Sequence, residues 1–248
     1  MPDRRPTRLP PPEWAIGVDG CRAGWALLQR SLRDDALEAH IFDTAAALVA
    51  YLRRQNCVAM IDMPVGLADS GRRACETAAR KSLGPRRSSV FAAPRRPMLD
   101  FDDYHAANAW GKAQGPDAGG GLSKQAWNIT PKIRALDAAL SPDDQAWLGE
   151  GHPELGFMRL TGAPCRHPKR TDAGARERRR ALREAGLDPR EAIAAFRKHT
   201  PTKSALADDD ILDAAVLSLS AQARISNNAL RFSDEKRDRR GLVMEIWG

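Results

Sequence analysis

Apolar residues follow two rhythms along this chain. Residues 15–19, "AIGVD", form a short apolar run that closes on a carboxylate, Asp19. After a glycine-bearing turn at 20–24, residues 25–30 and 36–42 read as two more strands, joined by the polar stretch 31–35. At 44–55, "TAAALVAYLRRQ", the rhythm becomes helical. Thr44 stands where an N-cap belongs, and basic side chains occupy the last turn, where they favour the helix dipole. Residues 57–61, "CVAMI", return to a short strand that delivers Asp62. The first sixty residues therefore predict β-β-β-α-β, with Asp at the end of the first and fourth strands.

From about 64 to 145 the pattern loosens into Pro, Gly, Ser and Arg, with short helical patches between loops such as "GPDAGGGLSKQ". A loop-rich stretch of that length inside a domain is more often functional than decorative. The expectation is an insertion packed over one end of the sheet. Residues 146–149 are a short apolar stretch leading into "EGHPELGF". A strongly basic helical region covers 168–184, and "ADDDILDAAVLSLSAQA" at 207–223 is a helix with acids in its first turn. Residues 241–247 read as a terminal strand or a docking tail. There is no internal repeat.

The length of 248 residues and 42% apolar content suit one domain, residues 14–248, with a sizeable core. Residues 1–13, "MPDRRPTRLPPPE", are basic and Pro-rich without the apolar segment of a secretory signal. They are expected to be a disordered tail, and the protein is expected to be cytoplasmic, with no membrane partner. The four cysteines form no C-x-x-C pair, so neither a zinc ribbon nor a thioredoxin-like site is supported. A net charge of +7 favours polyanionic partners, nucleic acid first, although a bias toward Arg and Ala explains it equally well.

The carboxylates carry the chemistry. Side chains at the C-terminal ends of neighbouring parallel strands share one crevice, where open α/β sheets place their ligands. Asp19 and Asp62 fit that description. Two adjacent carboxylates repel unless one is protonated or a cation lies between them, and Mg²⁺, an oxygen-seeking ion, is the natural neutraliser. Asp210 and Asp213 lie three apart on the predicted last helix, hence on one face. Glu150 and Glu154 flank His152 as a third source of acid. Taken singly, each of these residues also has a bland reading, as a turn former or a helix cap. Asp213 departs from it, because it stands beyond the first turn beside Ala214 and Ala215, where an unpaired acid is costly.

The motifs "GVDGCRAGW", "IDMPVGL", "RKSLGPRRSSVFAAPRR", "GLSKQAWNITPKI", "EGHPELGF", "KRTDAGARERR" and "DDDILDA" together resemble the DUF429 family, a group of predicted nucleases with a ribonuclease H-like fold. The resemblance runs from about Trp14 to the C-terminus. It implies an α/β mixed sheet, three antiparallel strands followed by parallel ones, flanked by helices and carrying a large loop- and helix-rich insertion. "DDDILDA" is also similar to the last-helix D-x-x-D-A motif of the RuvC-type resolvases. By this resemblance Asp19, Asp62, Asp210 and Asp213 are metal ligands for Mg²⁺ or Mn²⁺, and Glu150 and Glu154 line a catalytic site.

The activity so implied is hydrolysis of phosphodiester bonds in DNA or RNA by a two-metal mechanism. Basic segments would then hold the backbone: Arg80, Lys81, Arg86, Arg87, Arg95 and Arg96 in the insertion, and Lys169, Arg170, Arg176 and 178–180 beyond it. Arg22 could meet a phosphate or be a solvated hairpin residue. Gln125, Lys132 and His152 are candidate substrate contacts, His152 equally a buried hydrogen-bonding residue. Two other classes stay open. Actin-like ATPases and sugar kinases also begin with a strand, an Asp and a Gly turn, but no apolar strand precedes "DAGGGLSKQ" here. The other is a nucleic-acid-binding protein that kept the fold without catalysis.

Overall fold

The computed structural model describes residues 10–199 and 202–248. Its centre is one five-stranded sheet, in the order β3-β2-β1-β4-β5. Strand β1 (Trp14–Cys21) pairs antiparallel with β2 (Gly24–Ser31), and β2 with β3 (Leu37–Phe42). On its other side β1 runs parallel to β4 (Cys57–Ile61), which runs parallel to β5 (Leu148–Glu150). The chain is thus α/β with three antiparallel and then parallel strands, as the sequence led us to expect.

The parallel rows end together. Val18 pairs with Ile61 and Ile61 with Glu150. Asp19 and Asp62 are therefore the first residues beyond the parallel ladder, at the same end of the sheet. One expectation needs correcting. Asp19 does not finish its strand, because β1 continues to Cys21 with Asp19 opposite Ala26. Gly20 is likewise a strand residue, paired with Trp25, and not part of the turn.

Alternation in β1 sorts its side chains between two layers. Ile16 and Val18 enter the core that holds helix α1 (Ala45–Leu52) and Ile133 and Leu136 of a later helix. Ala15 and Gly17 face the opposite layer, where the long helix α8 (Asp208–Ile225) crosses the sheet. At Gly17 a Cβ would collide with the Ala214 carbonyl oxygen and lie 2.9 Å from the Leu217 Cβ. Helix α8 can approach the strand this closely because nothing projects there. Asp19, two residues on, shares that face.

Helix α1 begins as the pattern indicates, with the Thr44 hydroxyl accepting from the Ala47 amide. It stops earlier than expected, so Arg53 lies beyond it and pairs with Asp144. Residues between β4 and β5 hold α2 (Ala74–Leu83), α3 (Tyr104–Ala113) and α4 (Lys124–Ala139), with 3₁₀ turns between. Helix α4 was not anticipated as a core element. Its Ile133 and Leu136 pack in the main core, so this end of the stretch is built into the central fold.

Helices α5 (Pro153–Thr161), α6 (Asp172–Glu184) and α7 (Pro189–Arg197) pack with α8, and β6 (Arg231–Arg237) and β7 (Val243–Trp247) form a small antiparallel sheet. The 241–247 segment is thus mainly a terminal strand. Most of the expected disordered tail lies outside the described residues. Its last residues are anchored: the Glu13 amide donates to the Asn56 carbonyl and the Asn56 side chain to the Pro11 carbonyl. No helix among the described residues is long and apolar enough to cross a membrane. All four cysteines are free and buried.

Candidate metal centre

Three elements far apart in sequence deliver three carboxylates to one point. Asp19 comes from β1, Asp62 from the residue after β4, and Asp213 from the second turn of α8. Each offers an oxygen that lies within 4.8 Å of the others. The backbone holds the first two in place. The Asp62 amide donates to the Val18 carbonyl at 2.9 Å, and the Gly20 amide donates to Asp19 Oδ1 at 2.7 Å. The close approach of α8 at Gly17 brings Asp213 down onto the pair.

The site is strongly acidic and largely buried, with Asp62 half-buried. Asp19 is 7% exposed and Asp213 2%. Burial drives the Asp19 carboxyl well above its ordinary value, and the neighbouring Asp62, Asp213 and Asp210 add to the effect. Burial also raises Asp62 and Asp213 to about 6, even though Lys169 works against it in both. These are the signs expected where like charges share a low-dielectric site without a sufficient counter-charge. Lys169 supplies part of one. Its Nζ lies 2.7 Å from Asp213 Oδ2 and 3.8 Å from Asp209 Oδ2.

The geometry can hold a metal ion. The donors are hard carboxylate oxygens, with no Cys or His among them. Asp210 stands apart from the cluster. Its Oδ2 accepts from the Ala207 amide at 3.2 Å, closing the N-terminus of α8, though its charge still raises Asp19 and Asp62. Asp208 is an ion-pair hub for Arg179, Arg197 and Lys203.

The two glutamates are held by arginines. Glu150 receives both terminal nitrogens of Arg73, at 2.6 and 2.8 Å, and the Val65 amide at 2.8 Å. Its oxygens are committed to that network, which Glu76 extends through the Arg73 Nε. Glu150 is thus tied to Arg73 and the Val65 amide, outside the three-aspartate cluster. Glu154 Oε1 accepts from Arg178 and, at 3.2 Å, from Arg86. Its Oε2 is buried with no hydrogen-bond partner, and its charge raises Asp62. His152 Nε2 lies 3.3 Å from the Ser89 carbonyl, while its buried Nδ1 has no partner.

Several expected phosphate contacts are placed elsewhere. Arg96 pairs with Asp137 and Asp238, Arg178 is 1% exposed against Glu154, and Arg180 pairs with Glu184. Arg86 also spends its charge on Glu154. Arg22, Arg87 and Arg170 are exposed and make no ion pair among the described residues. Lys132 lies beside the centre, with Nζ on the Gly24 carbonyl at 2.7 Å and over the Trp25 ring. Arg95 and Gln125 line a separate cavity. Arg73 was not singled out from sequence. The only local signal is its i,i+3 spacing to Glu76 at the start of α2.

No curated protein and no solved structure matches the chain. A family model covering residues 17–238, a span that includes all three clustered aspartates, does match, and the chain belongs to that family, DUF429, described as proteins of unknown function.

Proposed function

We propose that this protein is a metal-dependent nuclease with a ribonuclease H-like fold, hydrolysing phosphodiester bonds of nucleic acid. One observation carries the reading. Asp19, Asp62 and Asp213, from two adjacent parallel strands and a helix packed across them, converge within 4.8 Å in a largely buried, electrostatically frustrated cluster. The strand order and directions support the fold assignment.

A divalent cation in such a site would supply Lewis-acid chemistry, polarising a phosphoryl oxygen and acidifying water. The protein's part is positional. Asp19, Asp62 and Asp213 would hold the ion. Glu154, with one oxygen unpartnered, and Asp210 both act on Asp62 and would be the acids at hand for a second ion, as the two-metal mechanism requires. Lys169 stabilises the crowded carboxylates and can turn to a phosphate once they are neutralised. The exposed Arg22, Arg87 and Arg170 would attract the backbone at long range.

The test is a cleavage screen of single-stranded, duplex and branched DNA and RNA with Mg²⁺ or Mn²⁺. The expected result is metal-dependent cleavage by the wild type that Asp19→Asn abolishes. Cleavage at the wild-type rate by that variant would remove the assignment.

A further inference from the structure

A cavity of about 320 Å³ opens between α2, the segment 91–95 and the glycine loop before α4. That volume lies in the range of small-molecule sites. Its lining includes the apolar Phe91, Met98 and Leu122. It also includes the basic Arg72, Arg80 and Arg95.

Arg95 is the telling residue. It is 4% exposed, yet no carboxylate stands against it among the described residues. Its Nη2 donates to the carbonyls of Gly111, at 3.1 Å, and Gly120, at 2.6 Å, and its guanidinium lies 4.9 Å from the Trp110 ring centre. Gly120, at φ +67°, turns its carbonyl toward it. These contacts orient the cation but do not neutralise it, and a buried charge without a counter-ion is costly. Burial correspondingly lowers its pKa.

Arg80 reaches only the Val90 carbonyl, and Arg72 has no ion pair among the described residues. The acid that lines the cavity, Glu76, is engaged by Arg73 and by the Ala93 amide. The N-terminus of α4, a sixteen-residue helix capped by Ser123, also borders the cavity and adds positive potential.

We propose that this cavity binds a nucleotide unit, its phosphate held by Arg72, Arg80 and Arg95 and its base against Phe91. A second cavity, of about 20 Å³ and lined by Asp62 and His152, shares Arg73 and Phe91 with the first. The occupant would thus sit beside the metal centre, as a flanking nucleotide of a bound strand. That last connection rests on the nuclease reading, whereas the binding itself does not.

The test is calorimetric titration of the full-length protein in EDTA, with adenosine, AMP and a short single-stranded oligonucleotide as probes. AMP is expected to bind at least tenfold more tightly than adenosine. Its affinity should fall at least tenfold in Arg95→Gln and in Arg72→Ala, the latter a change at an exposed position that leaves packing intact. Asp19→Asn should bind AMP as the wild type does, so failure of this proposal is read separately from loss of cleavage. Displacement of AMP by the oligonucleotide is expected, and its absence overturns the placement of the occupant as part of a bound strand. Equal binding of AMP and adenosine, no binding at millimolar AMP, or unchanged affinity in both arginine variants overturns the site itself.

Discussion

Lys169 Nζ lies 2.7 Å from Asp213 Oδ2, which makes a lysine the counter-ion of the most deeply buried acid in the centre. Lysine and a divalent cation would compete for the same carboxylate. Replacing Lys169 by Met should destabilise the metal-free protein by about 1–3 kcal/mol, less than a fully buried pair would lose because the Lys169 side chain is 37% exposed. The gain in melting temperature on adding Mn²⁺ should then exceed that of the wild type. Thermal denaturation in EDTA and in Mn²⁺ checks both, and a smaller gain in the variant would refute the competition.

The raised carboxylates set a pH dependence whose sign can be worked out. Asp62 and Asp213 hold protons in the folded state up to about 6, whereas the unfolded chain releases them near 3.8. Between those values the folded state binds more protons, so the contribution of these groups to metal-free stability falls as pH rises through the window. Below it their penalty is absent, and above it the penalty is complete. Metal binding should show the opposite trend, weakening as pH drops below about 6, because protons compete for the ligands. Denaturant titrations of the metal-free wild type and Asp19→Asn across pH 4–7 test this. The difference between them should widen, in favour of the variant, toward pH 7.

Gly17 sets the approach of α8 to β1, and with it the position of Asp213. Gly17→Ala would drive a methyl into the Ala214 carbonyl and the Leu217 side chain. The expected cost is about 1–3 kcal/mol of stability, as for other overpacked cores. Metal affinity should fall as well, although no ligand has been changed. A variant that loses stability but binds Mn²⁺ like the wild type would show that α8 tolerates displacement without moving Asp213.

How legible all this was depended on the range of the interactions involved. The strand over 57–61 and the Thr44 cap could be read because they rest on local pattern and local hydrogen bonds. Asp19, Asp62 and Asp213 could be singled out because an acid beside a buried apolar run is conspicuous. The partners of Glu150 and Glu154 could not. Arg73 reaches Glu150 across 77 residues and Arg178 reaches Glu154 across 24, so only the folded chain tells a solvated arginine from a buried one. Helix α4 was obscured by Pro131 in its interior and by the glycine-rich approach to it. Helix α7 was missed outright.

Arg87 now stands apart from its neighbour. Arg86 is spent on Glu154, while Arg87 is exposed and without an ion pair among the described residues. On duplex DNA, Arg87→Ala should reduce the log–log salt slope of binding by about 0.9 if it contacts one phosphate. Fluorescence anisotropy over a range of salt concentrations measures it, and an unchanged slope would remove Arg87 from the interface.

The most direct measurement is anomalous diffraction from crystals soaked in Mn²⁺. The account predicts a manganese peak bonded to oxygens of Asp19, Asp62 and Asp213 at about 2.2 Å, with Lys169 drawn away from Asp213. No peak at that position at saturating Mn²⁺, with Lys169 still on Asp213, would contradict it.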